Sequence, residues 1–105
     1  MFYFISTFNF NLNHYKTLDE AQKHYFEYHV PLAKKMPGLK GYIIGPVQKT
    51  MGGDHPHARC AILVFESRDA MREAYRSEIG KALAEDENRL IGDYRVCLVE
   101  GDEIV

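Results

Sequence analysis

The sequence predicts an α+β fold, a four-stranded antiparallel sheet with helices against it. Three observations carry that prediction. The chain has 105 residues, the length of one domain spanning 1–105. Its apolar residues cluster in four strand-sized stretches and recur at helical spacing in two others. Those stretches follow one another as strand, helix, strand, strand, helix, strand.

Residues 2–10 are dense in Phe, Tyr and Ile. Alternation places Phe2, Phe4, Ser6, Phe8 and Phe10 on one face, and Tyr3, Ile5, Thr7 and Asn9 on the other. Both faces carry large apolar groups, so this strand is expected to be covered on both sides. Thr17 to Glu20 reads as a capping box. The Thr17 hydroxyl takes the Glu20 N–H and the carboxylate reaches back. Leu18, Ala21, Tyr25, His29 (or Tyr28) and Leu32 then recur at helical spacing, predicting a helix over 18–35. Pro31 lacks an N–H and is expected to kink its last turn. Met36, Pro37 and Gly38 stop it.

A second strand is expected over 39–49, weakened by Gly41, Gly45 and Pro46. Residues 50–56 form a turn, and 58–65 a third, nearly all-apolar strand. Ser67 reads as an N-cap. Met71, Ala74, Tyr75, Ala82 and Leu83 mark the buried face of a second helical stretch, with a break expected near Gly80. The charged residues of 68–89 read as a solvated face without function. The last strand is expected over 95–100, followed by an acidic tail.

This order is the split βαβ, ferredoxin-like βαββαβ arrangement. Two helices cover one face of such a sheet. The strands are apolar on both faces, so the second face needs a cover that a chain of this length does not supply. A second subunit is the expected cover, giving a homodimer in which two sheets pack into a barrel.

Composition narrows the function classes. Hydrophobic residues make up 46% and charged residues 27%, which fits neither a disordered chain nor a coiled coil. The net charge of −2 leaves no basic excess for phosphates, so no nucleic-acid partner is expected. No apolar run approaches the roughly 20 residues that span a bilayer, so no membrane partner is expected. No secretory leader is visible, and a cytoplasmic location is expected. Cys60 and Cys97 show no disulfide or metal spacing and read as reduced packing residues.

The segment from Tyr25 to Tyr42 carries the most specific pattern. It holds an aromatic-rich helix, a His29-Val-Pro-Leu step, a Pro37-Gly-Leu turn and Tyr42 three residues after Leu39. Phe65-Glu-Ser67 and Gly80-Lys-Ala82 follow. With these features the chain resembles the EthD-like family of dimeric α/β barrels, named for ethyl tert-butyl ether degradation. The resemblance implies a homodimeric ferredoxin-like barrel. It also implies a small cofactor-free enzyme doing isomerase, cyclase or lyase chemistry on a hydrophobic aromatic, lactone or polyketide-like compound. It carries His29 and Tyr42 onto positions that line the pocket and take part in proton transfer in methylmuconolactone methylisomerase-like members.

The chemistry of the pair fits that role. Imidazole exchanges a proton near neutral pH, and a phenol can donate to a developing enolate. The bland alternatives are a helix-end histidine bonded to backbone and a core tyrosine. Phe4, Tyr25 and Phe65 are expected to line the apolar part of the pocket. Methylisomerase-like members also place a reactive Cys on the third strand. The equivalent here falls near Leu63, and Cys60 has the opposite parity, so cysteine chemistry is not expected.

Asp54, His55 and His57 form a second cluster. With His24, His29 or Glu66 it has ligand types that suit zinc, iron or manganese, against the simpler reading of a solvated loop. Haem is a remoter option through the same histidines. The rival to an enzyme is a non-catalytic accessory protein that carries a hydrophobic intermediate of a pathway.

Overall fold

The computed structural model describes residues 1–53 and 55–105. Strand β1 spans Phe2–Phe10, as the alternation predicts. Its even-numbered face is the more buried one, with Phe2, Ser6, Phe8 and Phe10 all under a tenth exposed. Helix α1 follows over Leu18–His24. The Thr17 hydroxyl accepts the Glu20 N–H at 3.1 Å, while the Glu20 carboxylate accepts from the Lys16 N–H at 3.3 Å. The box therefore closes one residue earlier than the pattern suggests.

The helix does not simply kink at Pro31. Residues Tyr25–His29 form a π-helical turn, and the Val30 N–H donates to the Tyr25 carbonyl. Regular α geometry would press the Pro31 ring against the Glu27 carbonyl. Widening the preceding turn relieves that contact one turn upstream of the proline. Helix α2, Val30–Ala33, completes the segment. Gly38 then turns the chain at a φ of +75°, a conformation costly for any other residue.

Strand β2 spans Gly41–Pro46 and β3 spans Arg59–Phe65, both shorter than the composition suggests. Helix α3, Arg68–Arg76, is capped by Ser67, whose hydroxyl accepts the Ala70 N–H at 3.1 Å. Helix α4, Glu78–Leu90, runs directly into β4, Ile91–Glu100, which starts four residues earlier than predicted. The sheet order is β2-β3-β1-β4, antiparallel throughout. This is a ferredoxin-like α+β sheet.

The break between α3 and α4 falls at Ser77, not at Gly80. The Ser77 hydroxyl donates to the Ala74 carbonyl at 2.6 Å and accepts the Gly80 N–H at 3.0 Å. Gly80 serves a different purpose, which is close approach. A Cβ there would lie 2.1 Å from the Ala74 carbonyl oxygen and 2.5 Å from the Tyr75 Cα. Both are backbone atoms, so neither helix could yield without moving. A Gly80→Ala variant is expected to lose about 2 kcal/mol or more of stability, read as a lower urea midpoint with an unchanged slope.

The helices bury two apolar clusters against one face of the sheet. One holds Phe8, Phe10, Tyr25 and Leu90. The other holds Met36, Leu63, Phe65 and Leu83. The opposite face carries Tyr3, Ile5, Ile62 and Val64, with Ile43 62% exposed; among the described residues no helix lies over it, and only the segment at 55–58 reaches its Thr7 and Asn9 end. Most of that apolar face is therefore left open by the chain's own helices. No helix among the described residues is long and apolar enough to cross a membrane.

Candidate functional site

A cavity of about 490 Å³ lies between the two clusters, under the helices. Sequence explains why it is there. Ser6 on β1 pairs with Ala61 on β3, so two small side chains stand at the centre of a face otherwise filled by Phe4, Phe8 and Leu63. The missing volume is the floor of the cavity. Its walls are largely aromatic and aliphatic, with Phe4, Tyr25, Tyr42 and Leu83 among them. Asn88 and Tyr94, both exposed, stand where the cavity meets solvent.

His29 and Tyr25 come from the π-helical turn. They sit four residues apart with rings stacked at 5.5 Å and planes 20° apart. His29 is 5% exposed and lines the cavity. Its Nδ1 lies 2.8 Å from Oδ2 of Asp86 on α4. Asp86 is completely buried, and its Oδ1 lies 2.6 Å from Nε2 of His24. A carboxylate only accepts, so both imidazoles donate to it. The proton of neutral His29 is thereby assigned to Nδ1. Its Nε2, without a protein partner among the described residues, keeps a free lone pair.

Electrostatics keep His29 in that state. Burial is the largest influence and lowers its pKa below the usual 6.5, while the hydrogen bond and charge of Asp86 oppose it in part. Burial also pushes Tyr42 well above the ordinary phenol range, with Tyr25 adding to the shift. Burial raises Tyr25 as well, against the lowering effect of Arg59. Both phenols are thus protonated donors at neutral pH. They neighbour one another, with Arg59 also close to Tyr25, but the Tyr25 hydroxyl closes no hydrogen bond of ordinary geometry among the described residues. A buried donor without a partner costs about 1–3 kcal/mol, which a ligand oxygen in the cavity would recover.

An EthD-domain family model matches residues 14–93, a stretch that contains His24, Tyr25, His29, Tyr42 and Asp86. The chain belongs to the EthD family. Its fold is similar to that of an EthD-family protein from Bacillus halodurans, with 20% identity, a TM-score of 0.77, and coverage of 97% of this chain and 99% of that one. A dimeric ferredoxin-like protein from Thermobifida fusca matches with 14% identity and a TM-score of 0.70, covering 93% of this chain and 88% of that one. The cofactor-independent oxygenase SnoaB from Streptomyces nogalater matches with 16% identity and a TM-score of 0.66, over 99% of this chain and 95% of that one. These likenesses are likenesses of fold. No curated protein matches the sequence.

The structure brings together His29, Tyr42, Phe4 and Tyr25 at one cavity. Phe65 is not among the cavity's lining residues. It is completely buried in the second cluster, against Ala74 and Leu83. Leu63 lines the cavity, whereas Cys60 pairs with Thr7 on the other face of the sheet. His57 is buried and bonds the Thr7 hydroxyl at 2.9 Å through Nδ1, and its backbone N–H donates to Nδ1 of His55 at 3.2 Å. Those two histidines therefore belong to the open side of the sheet, apart from His24 and His29. Asp54 lies outside the described residues. Among the described residues no three His, Cys, Asp or Glu side chains are placed to hold a metal.

The charged stretch of α3 and α4 needs correction. It is not all solvated, because Asp86 and Glu87 both point inward. The signal was present in the spacing. Asp86, Glu87 and Leu90 follow Leu83 by three, four and seven residues, which puts both carboxylates on the apolar stripe of α4.

Proposed function

We propose that this protein is a cytoplasmic, cofactor-free EthD-family enzyme that moves a proton on a small hydrophobic aromatic, lactone or polyketide-like compound. The reaction would be an isomerisation, cyclisation or lyase step. One observation carries the reading. His29 is held by a buried carboxylate with its basic nitrogen free, inside an apolar cavity large enough for a small organic molecule. Nε2 of His29 takes a proton from the carbon next to a carbonyl. The Tyr42 hydroxyl donates to the enolate oxygen that develops. SnoaB, similar in fold, is a cofactor-independent oxygenase, which is consistent with chemistry carried by side chains alone.

Exchange of carbon-bound protons tests this. A bicyclic ketone such as β-tetralone, incubated with the protein in deuterated water, is expected to gain deuterium beside its carbonyl. The His29→Ala variant should lose that exchange. Ligand binding by the wild type with no exchange would instead favour an accessory role, in which the cavity only carries its compound.

The open apolar face is proposed as the contact between two copies, as expected from the strand pattern. A dimeric protein of the same fold supports this. Light scattering should give twice 12.1 kDa for the wild type. Ile43→Lys should give the single-chain mass, because a charge would then face the partner's sheet. A monomeric wild type at micromolar concentration would contradict the assembly.

A further inference from the structure

Glu87 follows Asp86 on α4 and lines the same cavity, yet the His29–Asp86 pair makes no use of it. Its neighbours are few. The Tyr75 hydroxyl from α3 lies close by without closing a hydrogen bond of ordinary geometry. Tyr42 from β2 lies near it, and Asp86 is the adjacent charge on its own helix. No cation pairs with it among the described residues. Burial away from any cation, beside a second carboxylate, favours the protonated acid, while the Tyr75 phenol opposes this in part.

We propose, building on the acid–base reading of His29, that Glu87 is the proton donor of this cavity. The substrate would then be a β,γ-unsaturated or vinylogous carbonyl compound whose double bond is moved. Burial, and after it the Asp86 charge, push the Glu87 pKa up to about 7 against the lowering effect of Tyr75. A base below its usual range and an acid above its own give opposite roles at one pH.

The step balances without a co-reactant. Nε2 of His29 removes the α proton, and the C–H electron pair becomes a dienolate whose oxygen accepts from Tyr42. The carboxylic acid of Glu87 gives its proton to the γ carbon. That new C–H bond takes the dienolate pair, and the C=O bond re-forms. The imidazolium then loses a proton to solvent and the carboxylate regains one.

The test uses β,γ-cyclohexenone and a β,γ-unsaturated octalone in deuterated water, followed by proton NMR. The wild type should convert them to the conjugated isomers. Glu87→Gln should slow that conversion by about 100-fold or more, while α exchange into recovered ketone falls by less than about ten-fold. Conversion by Glu87→Gln at the wild-type rate would overturn the role of Glu87 and leave His29 standing. A wild type that exchanges neither ketone would overturn the reading of His29 itself. Carbon-13 NMR of the wild-type carboxyls gives an independent check that no variant has to survive. Glu87 should titrate near 7, and titration in the ordinary carboxylate range would defeat the proposal.

Discussion

Replacing Asp86 with alanine is expected to lower stability by about 3 kcal/mol. The variant strips an acceptor from two imidazoles at once, and leaving a buried donor unpaired costs about 1–3 kcal/mol. His29, at 5% exposure, has little access to compensating water, whereas His24 is better placed to find it. For a domain of this size the loss corresponds to a Tm lower by about 12–24 °C. The pH dependence changes as well. In the wild type, burial holds the folded pKa of His29 below the usual 6.5. The unfolded chain therefore binds the proton first, and stability falls as pH drops from 6.5 through the folded pKa. Without Asp86, which raises it, that folded pKa moves lower still. The acid-side loss should then extend over a wider range. A variant with wild-type Tm and an unchanged acid limb would show that Asp86 does not hold the site.

The second large effect belongs to His29→Ala. Removing a general base costs about 100- to 10,000-fold in rate. Binding of a ketone ligand should weaken far less, because the cavity wall is mostly apolar and Tyr25 and Tyr42 still donate. For the wild type, exchange should rise with pH through the pKa of His29, below 6.5, since only the neutral ring can accept a proton. A variant that kept the wild-type exchange rate would transfer the base to another group, and Glu87 would be the first to consider.

Much of the fold is legible in the sequence, for a physical reason. Two-residue alternation gave β1 its bounds from Phe2 to Phe10, and it placed the aromatic face correctly under the helices. Caps at Thr17 and Ser67 are local hydrogen bonds that residue type announces. What escaped depends on packing between distant segments. The π-helical turn leaves the apolar spacing nearly unchanged, so nothing in the pattern distinguishes it from α-helix. Gly80 reads as a helix breaker because its propensity is poor. Only the neighbouring Ala74 and Tyr75 backbone shows that its missing side chain is what matters.

The candidate site divides in the same way. His29 and Tyr42 entered through a family resemblance rather than through periodicity. Phe4 and Tyr25 were readable as apolar groups on inward faces, and so was Phe65, which fills the core instead. Asp86 and Glu87 were hidden by the charge around them, although their spacing to Leu83 and Leu90 marked them as inward. A carboxylate on an apolar stripe is costly unless it is partnered or functional. Asp86 is the partnered case, through His24 and His29.

The central claim is that His29 stands neutral in the cavity with its proton on Nδ1. Nitrogen-15 NMR of the histidine rings reads this directly, with no substrate needed. The account predicts a protonated Nδ1, an unprotonated Nε2 and a titration midpoint below 6.5. A ring protonated at Nε2, or one that titrates above that value, would contradict it.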